Sequence, residues 1–135
     1  MMSTSSTQYA FRGLVESLDT GTIVIGVSGS SYRLRLAVDE PVDVSVGERV
    51  MGAINACGLR VHVATAGGLF IEPISGEPRI VAGRVESIDR DAGAIVVQSV
   101  VPMCVQLETP EEAASLQEGD LVNFHVRSGA MWQAS

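Results

Sequence analysis

The feature that most constrains this chain is an internal repeat. Gly13-Leu14-Val15-Glu16-Ser17-Leu18-Asp19 returns 70 residues later as Gly83-Arg84-Val85-Glu86-Ser87-Ile88-Asp89. Gly21-Thr22-Ile23-Val24 then matches Gly93-Ala94-Ile95-Val96 at an offset of 72. At the same offset of 72, residues 44–50 (VSVGERV) match residues 116–122 (LQEGDLV). Three ordered matches at a nearly constant spacing point to a tandem duplication. The joint falls in the Gly/Pro-bearing stretch 73–78. The expected organisation is a flexible Ser/Thr-rich tail over residues 1–10, a first copy over 11–76 and a second over 77–135.

Each copy reads as short β-strands. Strand one covers residues 13–18, with its counterpart at 83–88. Asp19-Thr20-Gly21 and Asp91-Ala92-Gly93 are hairpin turn signals that lead into strand two. Strand three shows period-two alternation, with Tyr32, Leu34 and Leu36 on one face and Arg33 and Arg35 on the other. Its counterpart sets Met103, Val105 and Leu107 against Cys104, Gln106 and Glu108. In copy two, Thr109 as N-cap, Pro110 and Glu112 predict a short capped helix. A Gly-acid corner opens strand four in each copy. Tight links at 55–58 and 127–129 are expected to turn the chain into strand five, at 59–63 and 130–133. Leu69-Phe70-Ile71 is a further strand-like piece. Five short strands with a helix or turn after the third predict two tandem small barrels of OB type, because closure removes exposed sheet edges. A copy of this length is marginal alone, so the halves should pack together or the chain should oligomerise.

Composition narrows the function. Hydrophobic residues are 46% of the chain but aromatics only 4%, so the core is aliphatic and stacking platforms for bases are scarce. The net charge is −7, which argues against phosphate-backbone or anionic-membrane binding. All nine cations are arginine, which removes lysine Schiff-base and P-loop chemistry. The first ten residues lack the basic and apolar regions of a secretory leader, and no apolar run approaches membrane-spanning length. A soluble cytoplasmic protein is expected. Cys57 and Cys104 lack metal-ligand spacing, and no metal or catalytic residue is assigned. His62 and His125 fall opposite the apolar positions of their strands, which reads as a surface role.

The run Gly83-Arg84-Val85-Glu86-Ser87-Ile88, followed by Gly119-Asp120-Leu121-Val122 and the closing residues Asn123 to Met131, resembles the TOBE superfamily, and within it the molybdate-binding Mop-type domains. That family carries a Lys-Ala-Ser turn where this chain has Arg127-Ser128-Gly129 and, in copy one, Asn55-Ala56-Cys57-Gly58. Its Ser-x-Arg-Asn segment before strand one corresponds here to Gly76-Glu77-Pro78-Arg79 and to Ser6-Thr7-Gln8-Tyr9. The resemblance implies paired small barrels and an oxyanion ligand such as molybdate. A weaker similarity, carried by Phe11-Arg12-Gly13-Leu14-Val15-Glu16 and Asn55-Ala56-Cys57-Gly58-Leu59-Arg60-Val61, is to the lumazine-binding domains of the riboflavin synthase family, and implies flavin or lumazine binding.

These observations rank the functions. First comes a non-enzymatic ligand-binding module that holds a small anion at Asn55, Cys57, Gly58, Arg127, Ser128 and Gly129. Arg33, Arg35 and Arg60 form a candidate anion-binding face. The alternative is a structural, self-assembling homo-oligomer, in which the second copy docks on the arginine face of a neighbour. That copy is the more acidic, with nine acids to four arginines over residues 77–135. Val100-Val101-Pro102-Met103 with Met131-Trp132 is read either as an association patch or as buried core.

Overall fold

The computed structural model describes residues 9–39 and 42–135. The expected tail up to Gln8, and Glu40 and Pro41 of the loop after strand three, lie outside the described residues. The fold is all-β, a mixed sheet of 11 strands. In order these are β1 (Phe11–Asp19), β2 (Thr22–Val27), β3 (Arg33–Ala37), β4 (Arg49–Val63), β5 (Phe70–Glu72), β6 (Ser75–Gly76), β7 (Ile80–Asp89), β8 (Ala94–Gln98), β9 (Pro102–Leu107), β10 (Leu121–Val126) and β11 (Met131–Ala134). A 3-10 helix, Pro110–Ser115, sits between β9 and β10.

The ladders close on themselves twice. β1 pairs with β2, β2 with β3, β3 with β11, β11 with β4, and β4 returns to β1. A second circuit runs from β4 to β10, β7, β8 and β9, and from β9 back to β4. β4 therefore serves both. Arg49 to Gly52 pair with β1, and Gly52 to Asn55 pair with β11. Ile54 to Gly58 then run parallel to β9, while Gly58 to Val63 pair with β10. The last strand, β11, belongs by sequence to the second half but lies between β3 and β4 of the first circuit.

Local geometry repeats at the spacing of the sequence repeat. The Val15 amide donates to the Glu48 carbonyl (2.9 Å) and its carbonyl accepts from Gly47 (2.8 Å). Val85 makes the same two bonds with Asp120 and Gly119, each 2.8 Å. A register shift falls between Val15 and Ser17 in β1 and between Val85 and Ser87 in β7. Gly13 and Gly83 also share a role. A Cβ at either would fall on a side chain of the next strand, Ile25 or Val97, and approach a backbone carbonyl, Gly26 at 3.3 Å or Gln98 at 2.9 Å. Close strand approach therefore calls for glycine at both positions.

The expected turn at Asn55 to Gly58 does not form; the chain runs straight through it inside β4. Gly58 is not in a left-handed conformation. Its missing side chain leaves room for Val105 Cγ1, 2.7 Å from where a Cβ would stand, and for Phe124 Cδ2 at 3.3 Å. Asn-Ala-Cys-Gly looked like a turn because a packing glycine and a turn glycine are indistinguishable in sequence. The expected capping box is also replaced. Pro110–Ser115 is 3-10 rather than α, Thr109 makes no side-chain cap bond, and the Glu112 amide donates to the Thr109 carbonyl instead (3.0 Å).

The alternating residues point inward as expected. Leu34, Leu36, Met103, Val105 and Leu107 are each at most 1% exposed. They join one hydrophobic cluster that includes Phe11, Ile54, Phe124 and Trp132, so both circuits share a continuous core. Val101, Met103 and Trp132 are buried in it, which resolves the association-patch reading in favour of core. Ser99 is the buried polar residue among those described; its hydroxyl donates to the Ala82 and Phe70 carbonyls (2.7 and 3.1 Å).

Candidate functional site

The segment between β10 and β11 is a short turn, with Gly129 at φ 99°. This left-handed conformation suits glycine. The turn already holds an anion. Glu77, just before β7, places its carboxylate against it: Gly129 N–H donates to Oε2 at 2.9 Å and the Ser128 hydroxyl donates to Oε2 and Oε1 at 3.0 and 3.2 Å. Arg127 pairs with Glu108, and its backbone amide donates to the Cys57 carbonyl at 2.9 Å. Two positions that the sequence treats separately, the segment before strand one and the turn after strand four, thus meet around one carboxylate. Glu77 was not among the expected site residues. Its signal was faint: an acid at the position where the resembled family carries a polar Ser-x-Arg-Asn segment.

Asn55, Cys57 and Gly58 stand apart from a turn. Asn55 and Cys57 lie on the outer face of β4, opposite Cys104 and Gln106 in the parallel ladder with β9. The Asn55 amide donates to Gln133 Oε1 at 3.0 Å. Asn55 and Cys104 line a cavity of about 220 Å³ with Ser87, Asp89 and Gln106. Burial pushes the Cys104 thiol above its ordinary pKa, which holds it protonated and weakens it as a nucleophile. His62 and His125 are exposed. Among the described residues no group of three or more His, Cys, Asp or Glu could hold a metal ion.

The arginines divide. Arg33 and Arg35 alternate with buried leucines on the outer face of β3. Arg60 does not join them, because β11 separates β3 from β4 and Arg60 lies in the half of β4 that pairs with β10. It sits at a bulge: Arg60 and Val61 together oppose Phe124, and Arg60 has φ 56°. The β1–β4 ladder instead brings Arg12 and Arg49 to the same sheet as Arg33, with Leu14 of β1 paired to both Arg49 and Gly26, and Gly26 paired to Arg33. Arg12 and Arg49 were not among the expected face residues, because only the pairing shows which strands adjoin.

Comparison with family models, with curated proteins and with solved structures finds no match to the chain. Among the described residues no helix is long and apolar enough to cross a membrane.

Proposed function

We propose that this chain is a non-enzymatic binding module of two tandem small barrels, derived from a duplicated segment, which receives a small oxyanion at the turn of Arg127, Ser128 and Gly129. The two ladder circuits and the repeated bonds around Val15 and Val85 support the duplicated-barrel part of the reading.

The observation that carries the ligand part is the convergence of the Ser128 hydroxyl and the Gly129 amide on one carboxylate oxygen, at 3.0 and 2.9 Å. A hydroxyl and a backbone amide at such distances are the donors that anionic oxygens use, and hydrogen bonds to a charged acceptor are the stronger kind. Glu77 stands in for the two nearest oxygens of a tetrahedral oxyanion. An external anion would displace it and draw on the same donors, with the Arg127 guanidinium at the edge.

Isothermal titration with molybdate, tungstate, sulfate and phosphate tests this on the native chain and on Glu77→Ala. Removing the internal competitor should tighten binding by about tenfold, the equivalent of one charge-assisted hydrogen bond's net worth. Ser128→Ala in the Glu77→Ala background should weaken it. No saturable heat from any of the four anions with either protein would overturn the proposal.

A further inference from the structure

We propose that a second copy of this chain seats the acidic end of its second half, Glu111 and Glu112 of the 3-10 helix, on the arginine face of β4, β1, β2 and β3. The proposal is independent of the oxyanion reading. On that face the outward side chains are Arg49 and Met51 of β4, Arg12, Leu14 and Glu16 of β1, and Arg33 and Arg35 of β3. Gly26 leaves a gap at the centre, over which Glu16 reaches to within 3.7 Å of Arg33. The gap is a cavity of about 370 Å³ bordered by Leu14, Tyr32, Arg33 and Arg49. Glu16 lies among the four arginines and Asp39, Asp43 and Glu48 border the Arg49 and Met51 end, yet no described acid forms an ion pair with Arg12, Arg35 or Arg49. Methionine and arginine around a half-exposed leucine are an interface composition: Met51 is 44% exposed.

The rest of the molecule has the opposite sign. The chain carries −7 overall, so everything outside this face is more acidic still. The acids gather where the loop before β8 meets the 3-10 helix. A Cβ on Gly93 would stand 2.8 Å from Pro110 Cα, and Arg90 is tied to the Leu116 carbonyl at 2.8 Å, so the loop that carries Asp91 packs against the helix that carries Glu111 and Glu112. The cations nearest that end are engaged, Arg90 with the Leu116 carbonyl and Arg127 with Glu108. The repeat counterpart of the arginine face carries one arginine, Arg84 in the place of Leu14, because Ala82 stands for Arg12, Leu121 for Arg49 and Cys104 for Arg35. One chain therefore presents one basic face and one acidic end. Two different patches that complement each other make a head-to-tail contact, which propagates as an open chain or closes as a ring.

The test is sedimentation velocity on the full chain at about 100 µM, with the Trp132 emission of every variant checked against native to establish folding. The native chain should sediment as a series of oligomers at about 50 mM salt, and association should weaken at least about tenfold at about 500 mM, where screening is strong. Arg12→Glu with Arg49→Glu removes the face. Glu111→Gln with Glu112→Gln removes the acidic end. Each double variant alone should be monomeric. Mixed, they retain one intact pairing and should form a dimer that grows no further. A monomeric native chain at low salt overturns the proposal, as does association that survives in either variant, or a mixture that stays monomeric.

Discussion

Gly52→Ala decides whether the exchange of β11 into the first circuit is as tight as its packing indicates. Gly52 lies in β4 opposite Ala134 of β11, and its φ is not left-handed, so alanine is allowed by the backbone. With open space around it, the substitution would stabilise the protein by about 0.4–1 kcal/mol through the unfolded chain. The space is filled. A Cβ would stand 2.5 Å from Trp132 Cη2 and 2.7 Å from the Gln133 carbonyl oxygen. Ordinary carbon contacts are about 3.5–4.0 Å, so the indole must move by about 1 Å or the ladder must open. Trp132 is 6% exposed and meets Phe11 edge-on at 5.6 Å between centroids, so moving the ring disturbs that pair, and the Gln133 carbonyl is backbone held in the ladder. Overpacking costs about 1–3 kcal/mol, and a disturbed aromatic pair about 0.5–1.5 more. Offset by the unfolded-state gain, the net loss is about 2 kcal/mol, or about 5–10 °C in Tm for a chain of this size. Trp132 is the single tryptophan, so its emission reports the site directly. Urea unfolding followed by that emission should show a lower midpoint and a red-shifted native spectrum. Gly68→Ala, with nothing within 4 Å of the added carbon, is the neutral control. A midpoint for Gly52→Ala at or above native, with an unshifted spectrum, refutes the packing argument.

The remaining predictions use other parts of the fold. Arg60→Gly relieves a left-handed residue at the β4 bulge and should raise stability by about 0.5–1 kcal/mol, whereas Arg60→Val should lower it by more than 1 kcal/mol; thermal melts measure both. Residues 11–76 and 77–135 expressed separately each lack a strand of their own circuit, so Trp132 should be solvated in the second fragment and regain buried emission on mixing. A buried-type spectrum in the isolated 77–135 fragment would count against the exchange. In a Cys57→Ala background, Cys104 should react with a thiol reagent more slowly than a free thiol at pH 8. Because burial raises its pKa, fewer thiolates exist at that pH, and the rate should climb until the pH passes above the free-thiol value.

The sequence carried the strand inventory because it is local. Alternation at Leu34 and Leu36, turn chemistry at Gly21 and Gly93 (φ 78° and 64°), and the extra strand around Phe70 all follow from neighbouring residues. What it did not carry is which strand borders which. Leu59 to Val63 looked like the fifth strand of its own copy, yet it continues β4 into the ladder with β10. Pairing choice depends on contacts many residues apart, and a short strand has the same alternation wherever it docks. The candidate site follows the same division. Ser128 and Gly129 were readable as turn donors, but that Glu77 fills them depends on a contact across 52 residues of sequence. The arginine face was assigned Arg60 in place of Arg12 and Arg49 because strand adjacency was assumed from chain order.

β4 is a single rod of backbone common to two circuits, and its middle, Ile54 to Gly58, has β9 along one edge and β11 and β10 along the other. Melting either circuit strips hydrogen-bond partners from the other, so half-molten species have no favourable form. Amide protons at Ile54 and Ala56 should then exchange with deuterium only when the whole molecule opens, and any ligand or neighbour that steadies one end lengthens the lifetime of the far end to the same degree.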